Sequence, residues 1–287
     1  MHDGELNINE KIVKQLINEQ FPQYSGLPVC KVNSTGTVNA IYKLGEDYCI
    51  RLPRLDWAEE SLKNEWITLP VISKNVSLAV PQIIEKGSPH TDYPFIWGIY
   101  RWIEGDIYDN LYADEEETAK ALAQFIQELH SVKLSNDALK AGRKPLRELD
   151  EMTIDAIIKC KGDIDCDKTL KLWQKLQNTK PWNGDPVWIH ADLLKPNLLL
   201  TGGKLSAIID FGSAGVGDPA FDVVAAWTVL SSKTRMLFKN LLNTDDHVWN
   251  RAKAYALHQA ALIIPYYRKS NPEFVKQAIN TIKNVLE

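Results

Sequence analysis

Cysteine is scarce in this chain: four in 287 residues, at positions 30, 49, 160 and 166. None falls in a C-x-x-C pair, so the spacing offers neither a disulfide framework nor a zinc site and points to reduced thiols in a cytoplasmic protein. An excess of one charge is also missing. Lys and Arg number 33 against 37 Asp and Glu, a net charge of −4, which gives no electrostatic footprint for nucleic acid or an anionic membrane. No apolar run approaches the roughly 18 residues that suggest a membrane span. The opening MHDGELNINE has no basic start and no apolar core, so it does not read as a secretion signal. Repeats and low-complexity linkers are absent too. What is left is a mixed composition, long enough for one large domain or two lobes around a substantial core.

Residues 9–20 place Ile12, Val13, Leu16 and Ile17 on one helical face, and Pro22 stops that helix. The pattern then changes. VCKV (29–32), NAIYKLG (39–45) and DYCIRLP (47–53) are short and rich in Val, Ile and Tyr, with glycines between them. They read as antiparallel strands joined by tight turns. A charged helical segment over 56–69 carries Glu59, Glu60 and Glu65, and residues 80–103 are extended again. From about residue 114 the chain turns helical: Asp114 is a cap, Glu115, Glu116 and Glu117 sit where the helix dipole favours negative charge, and Thr118, Leu122, Phe125, Ile126 and Leu129 keep helical spacing. The expected class is α+β, with a small β-rich N-terminal lobe over 1–103 and a larger helical C-terminal lobe over 104–287.

One stretch interrupts the helical half. In VWIHADLLKPNLLLTGGKLSAIIDFG (187–212), LLLT and KLSAII read as strands and Gly202–Gly203 as a two-residue hairpin turn. Pairing across it sets Leu200 opposite Leu205 and Asn197 opposite Ile208, so Asp210 lies just past Asn197 at the open end. Asp192 precedes the first strand by a short loop and reaches the same place. Two carboxylates and an amide thus converge at one end of an apolar hairpin. Such oxygen ligands suit Mg²⁺, which binds through one or two carboxylates plus substrate phosphates. A neighbouring aspartate that does not bind metal can accept a proton from a hydroxyl. Together these are the parts of a phosphoryl-transfer site, and H-x-D-L-x-x-x-N followed by D-F-G matches the kinase catalytic loop and metal signature.

At this point HADLLKPN followed by IIDFGSAGVGDPAFDVVAAW resembles the aminoglycoside phosphotransferase family, small-molecule kinases with a protein-kinase-like fold. The resemblance takes in the early helix ending QFP, the STGTVNAIYKLG hairpin, CIRLPR, YRWIEG and GDPAFD. It implies a two-lobed protein-kinase-like fold, ATP or GTP as phosphoryl donor, and Mg²⁺. It implies Asp192 as the catalytic residue that positions the acceptor hydroxyl, Asn197 and Asp210 as metal ligands, and His190, Asp218 and Asp222 as structural supports of the loop. Arg51 takes the strand position of the cation against the nucleotide phosphates, with Glu65 as its partner and Glu59 or Glu60 as alternatives. Ser34 and Thr35 lie in the loop over the nucleotide, and Arg101 and Trp102 in the junction whose backbone meets the base. Two positions depart from the family: Ala191 stands where Gly is common, and Leu194 where a second His is common near the phosphates, with Lys195 beside it as a replacement charge.

The acceptor is a hydroxylated small molecule whose identity the residues leave open. Residues 104–117 hold seven acids and no base, which invites a polycation such as an aminoglycoside and with it a role in antibiotic resistance, although the helix start accounts for Glu115–Glu117 and leaves Glu104, Asp106 and Asp109 as the candidates. Residues 247–287 hold six Lys and Arg against two acids, which argues for another metabolite, an amino alcohol or a sugar. Trp182, Trp188, Tyr266 and Tyr267 are candidates for aromatic surface. A nucleotide-binding pseudokinase is disfavoured because Asp192, Asn197 and Asp210 are all present. A protein kinase is disfavoured because no A-P-E follows D-F-G and the segment to GDPAFD is too short to present a peptide. Oligomeric state is open.

Overall fold

The computed structural model describes residues 5–32, 38–134 and 138–287. Asn9 caps α1 (Glu10–Gln20) by accepting the Ile12 N–H at 3.1 Å, and the helix stops short of Pro22. Then come β1 (Val29–Lys31), β2 (Asn39–Leu44), β3 (Tyr48–Pro53), α2 (Asp56–Ile72), β4 (Ile83–Gly87) and β5 (Trp97–Arg101). The strands make one antiparallel five-stranded sheet in the order β1-β2-β3-β5-β4. Alternation along β2 buries Ala40, Tyr42 and Leu44. Those residues pack with Val13, Leu16 and Ile17 of α1 and with Ile50 and Trp97, forming one hydrophobic cluster.

The helix expected to end at 69 instead runs through Pro70 to Ile72. Leu62, Leu69 and Ile72 explain this: they are buried in a second, larger cluster made mostly by the C-terminal helices. Packing of the last turn outweighs the loss of one backbone bond. As a result α2 lies between the sheet and the helical region.

The helical region contains β6 (Asp106–Ile107), α3 (Glu115–His130), α4 (Asp150–Lys159), α5 (Cys166–Leu176), β7 (Val187–Ile189), β8 (Leu198–Thr201), β9 (Lys204–Ile208) and β10 (Gly215–Gly217). It ends in α6 (Ala220–Val223), α7 (Ala225–Thr228), α8 (Ser232–Leu242), α9 (Asp246–Tyr267) and α10 (Pro272–Leu286). Asp114 caps α3 through the Glu117 N–H at 3.1 Å. A β-rich N-terminal part joined to a helical C-terminal part is the α+β class read from the sequence. The short segment after D-F-G is spent on β10, which pairs with β7. The four cysteines are free thiols, and among the described residues no helix is long and apolar enough to cross a membrane.

The β8–β9 hairpin turns on Gly202 (φ 56°) and Gly203 (φ 79°), the doubly positive geometry of a type I′ turn. Leu200 lies opposite Leu205, as expected, but Leu198 rather than Asn197 lies opposite Ile208. The register slips at Ser206. Its hydroxyl donates to the Leu199 carbonyl at 3.1 Å, and its own carbonyl accepts the Ala79 N–H at 3.2 Å. The bulge moves Asn197 level with Ile209, so Asp210 still follows directly at the open end.

Candidate active site

The Ile209 N–H donates to the Asn197 carbonyl at 2.9 Å, which sets Asp210 beside Asn197. The Asn197 amide nitrogen donates to Asp192 twice, to the main-chain oxygen and to Oδ2, both at 2.9 Å. Asp192, Asn197 and Asp210 therefore meet. Backbone strain marks the place: Ala191 (φ 64°) and Asp210 (φ 65°) are two of the three non-glycine residues with positive φ among the described residues. Such conformations cost about 1–2 kcal/mol each and persist only where neighbours over-determine them.

Those neighbours can be named. The buried Asp222 carboxylate accepts the His190 N–H at 3.0 Å and the Ala191 N–H at 2.9 Å on one oxygen, with His130 Nε2 3.1 Å from the other. His190 Nδ1 accepts the Asp192 N–H at 3.2 Å, so its proton is on Nε2, which donates to the Ile209 carbonyl at 3.1 Å. His190 thus ties the Asp192 loop to the strand that delivers Asp210. Asp218 accepts the Ala220 N–H at 2.9 Å and holds Arg251 through two bonds of 2.7 and 3.0 Å. His190 and Asp222 thus brace the loop directly, while Asp218 ties the start of α6 to Arg251 of α9.

Arg51 projects from β3 to Glu65 of α2 at 2.5 Å and to Asp210 at 3.3 Å. Glu65 is the partner. Glu59 instead accepts the Ile96 N–H at 2.9 Å, and Glu60 pairs with Lys63 at 2.8 Å. Glu65 also accepts the Phe211 N–H at 2.9 Å and the Tyr100 hydroxyl at 3.1 Å, and the Tyr100 oxygen in turn accepts the Trp66 indole N–H at 3.0 Å. Burial alone would lower the Arg51 guanidinium; the Glu65 and Asp210 carboxylates reverse this and hold it above its usual range. Burial pushes the Glu65 carboxyl up, Arg51 opposes, the Asp210 charge reinforces, and the Phe211 N–H opposes. The preceding residue on α2 adds a clamp that sequence reasoning missed: the Asn64 amide donates to the carbonyls of Gly212 and Ala214 at 2.9 and 2.7 Å. The fit is close enough that a Cβ on Gly212 would lie 2.9 Å from that of Ser61.

Ser34 and Thr35, with residues 34–37 of the 34–39 loop expected over a nucleotide, lie outside the described residues. Arg101 and Trp102 stand at the end of β5, where their N–H groups are already bonded to the carbonyls of Gln82 (2.9 Å) and Asp47 (2.8 Å). Their side chains turn away: the Arg101 guanidinium lies over the Tyr48 ring and the Trp102 indole donates to Glu104 at 2.7 Å.

On its other side Asp192 accepts the Gln259 amide of α9 at 3.2 Å on Oδ1. Gln259 is 67 residues away in the chain, and no local motif signals it. It lines a groove between α9 and α10 that also takes in Leu194, Lys195 and Phe274. Leu194 faces that groove, and the Lys195 ammonium bonds the Asn110 side-chain oxygen. Most acids of 104–117 have structural work. Glu104 pairs with Lys43 at 3.3 Å, Asp114 caps α3, and Glu115 accepts the Ser231 N–H and the Thr234 hydroxyl; Glu116 and Glu117 pair with Lys120 at 2.9 and 2.8 Å. Of the four aromatics, Trp188 is core, Trp182 lies under Arg251, and Tyr266 and Tyr267 pack edge to face.

Burial first, then the Asp210 charge, raises the Asp192 carboxyl; His190, Asn197 and Arg143 oppose. A raised carboxylate is suited to accept a proton at neutral pH. Among the described residues no three His, Cys, Asp or Glu cluster as a metal cage. One carboxylate at Asp210 and the amide oxygen of Asn197, to which no described residue donates, are the sparse oxygen set that Mg²⁺ accepts when waters and phosphates complete its shell.

A model of the phosphotransferase enzyme family matches residues 29–257. An uncharacterised protein of Bacillus subtilis (strain 168), YcbJ, is 26% identical over 275 residues, 87% of each chain. An aminoglycoside 3'-phosphotransferase of Niallia circulans is 32% identical over 124 residues, 42% of this chain and 47% of that one. Among solved structures, the GDP complex of wild-type aminoglycoside 2'-phosphotransferase-IIIa superposes with a TM-score of 0.75 at 18% identity, covering 97% of this chain and 99% of that chain.

Proposed function

The chain belongs to the phosphotransferase enzyme family, and from that premise we propose that it moves the terminal phosphoryl group of ATP or GTP to a hydroxyl of a small molecule, with Asp192 as the base. The observation that carries this is the meeting of Asp192, Asn197 and Asp210 at one hairpin end, with Arg51 held against Asp210 by Glu65. Asn197 and Asp210 would hold Mg²⁺, which when bound offsets charge on the phosphate oxygens. Arg51 then presents a fixed guanidinium to the same phosphates. Asn197 keeps one oxygen of Asp192 turned inward, leaving Oδ1 to meet the acceptor hydroxyl and take its proton as the new P–O bond forms and the P–O bond to the departing nucleoside diphosphate breaks. The GDP bound in the superposed structure supports a nucleotide donor.

An aminoglycoside acceptor draws support from the 3'-phosphotransferase relative. A second reading, a kinase of another hydroxylated metabolite, is favoured by the engagement of the 104–117 acids within the fold. The test is nucleotide consumption with Mg²⁺, using ATP and GTP against aminoglycosides, amino alcohols, sugars and nucleosides. Asp192→Asn should lower kcat by about 10²–10⁴-fold, the range of positioned acid–base catalysis, with nucleotide affinity retained. Near-wild-type turnover in that variant would refute the assignment.

A further inference from the structure

The groove beside Asp192 is nearly free of charge. Leu194, Ile263 and Phe274 give it apolar walls, Gln259 and Gln277 supply uncharged polar atoms, and Lys195 is its one ionisable lining side chain among the described residues. One side chain links the groove to the reacting carboxylate: Gln259, which lines it, donates to Asp192 Oδ1 at 3.2 Å. No described residue donates to the Gln259 side-chain oxygen, so that atom is available to an entering hydroxyl. The Lys195 ammonium bonds the Asn110 side-chain oxygen, and Glu115 is occupied by Ser231 and Thr234. A polycation seated here would strip water from its ammonium groups with no carboxylate in the lining to replace it, and would face Lys195.

We infer that this groove is the acceptor site and that it takes an alcohol with an apolar body and at most one positive charge, its hydroxyl aligned between Gln259 and Asp192. The inference rests on the reading of Asp192 as the base, and its test is therefore a binding measurement that needs no turnover. The full chain is titrated calorimetrically with kanamycin as the polycation, erythromycin as a large, singly charged apolar alcohol, and octyl β-D-glucoside below its micelle concentration as an uncharged one. Erythromycin or the glucoside should bind at least about tenfold tighter than kanamycin, the factor given by ~1.4 kcal/mol. Ile263→Glu, which sets a carboxylate in the wall, should shift that ratio toward kanamycin by a similar factor. Gln277→Glu, at a half-buried helix position, repeats the test should the first variant fail to fold. Tightest binding of kanamycin, no binding of any probe, or a ratio unmoved by the folded variant would overturn the inference. A failed phosphotransferase reading has a different signature: the binding order holds and no phosphoryl group moves to any bound alcohol.

Discussion

The two flanks of Asp192 are built on opposite electrostatic plans. On one, Arg51, Glu65 and Asp210 form a charged network at the contact of β3, α2 and the D-F-G turn, with Tyr100 and Asn64 as neutral supports. On the other, α9 and α10 offer a groove whose lining carries one ionisable side chain among the described residues. The difference is chemical. A polyphosphate brings the same charge whatever the acceptor, so one flank can fix its cation with carboxylates and main-chain N–H groups. An acceptor brings shape and its own charge, and the groove answers with apolar walls and amides that any hydroxyl can use. Fold and reaction do not determine which acceptor enters.

Removing Glu65 should break the charged flank most severely. Glu65→Ala leaves the Arg51 guanidinium, which is only 13% exposed, with Asp210 as its one remaining carboxylate, and frees the Phe211 N–H and the Tyr100 hydroxyl. Breaking a buried pair on one side costs about 3–5 kcal/mol, to be read as a lowered urea midpoint at unchanged m. A loss below about 1 kcal/mol, the range of exposed pairs, would mean that the network does not hold this flank.

The groove flank should respond to acid instead. His258 precedes Gln259 on α9, is buried, and stacks on Trp173. Thr153 gives its hydroxyl proton to the Leu149 carbonyl at 2.6 Å, so His258 Nδ1 carries a hydrogen toward the Thr153 oxygen at 2.7 Å. Burial, with Arg143 nearby, lowers the His258 pKa from 6.5 to about 4. The unfolded chain therefore binds a proton in this window that the folded chain refuses. Stability is full above pH 6.5 and falls as the pH drops to about 4, by at most ~3 kcal/mol from this group. Denaturant midpoints at pH 7 and pH 4.5 measure it. His258→Gln, which cannot ionise, should flatten the dependence; an unchanged slope in that variant would assign the acid sensitivity elsewhere.

The same contrast explains what could be read from residue order. The kinase-like loop, the D-F-G turn and the hairpin between them lie within 26 consecutive residues, 187–212, so spacing alone brought Asp192, Asn197 and Asp210 together. The strand-rich start and helical end followed from periodicity. The Ser206 bulge escaped notice because it depends on Ala79, a partner from another part of the chain. Helix α2 outran Pro70 because tertiary burial of Ile72 overrode a local stop signal. Gln259 and Asn64 act across 67 and 148 residues of chain through amides that resemble any surface Gln or Asn in sequence. Among the acids at 104–117, Asp114 to Glu117 read as a helix start, whereas the pairing of Glu104 with Lys43 joins residues 61 apart and leaves no local signal.

The smallest effect expected lies at Ala191, which belongs to neither flank and hands the chain from His190 to Asp192. Its φ of 64° is a conformation in which a β-carbon is strained, at a cost of about 1–2 kcal/mol. Glycine would remove that strain, but it loses about 0.5–1 kcal/mol more than alanine in backbone entropy on folding. The two terms nearly cancel, so Ala191→Gly should shift stability by less than about 1 kcal/mol and leave kcat within a factor of a few. Ala191→Val, whose branched side chain is a genuine outlier at positive φ, should be clearly worse in both. Thermal unfolding and turnover of the pair decide it. A glycine variant that keeps its stability but loses activity would show that the strained alanine, held by Asp222, fixes the aim of Asp192 and that the link between the two flanks is itself part of the mechanism.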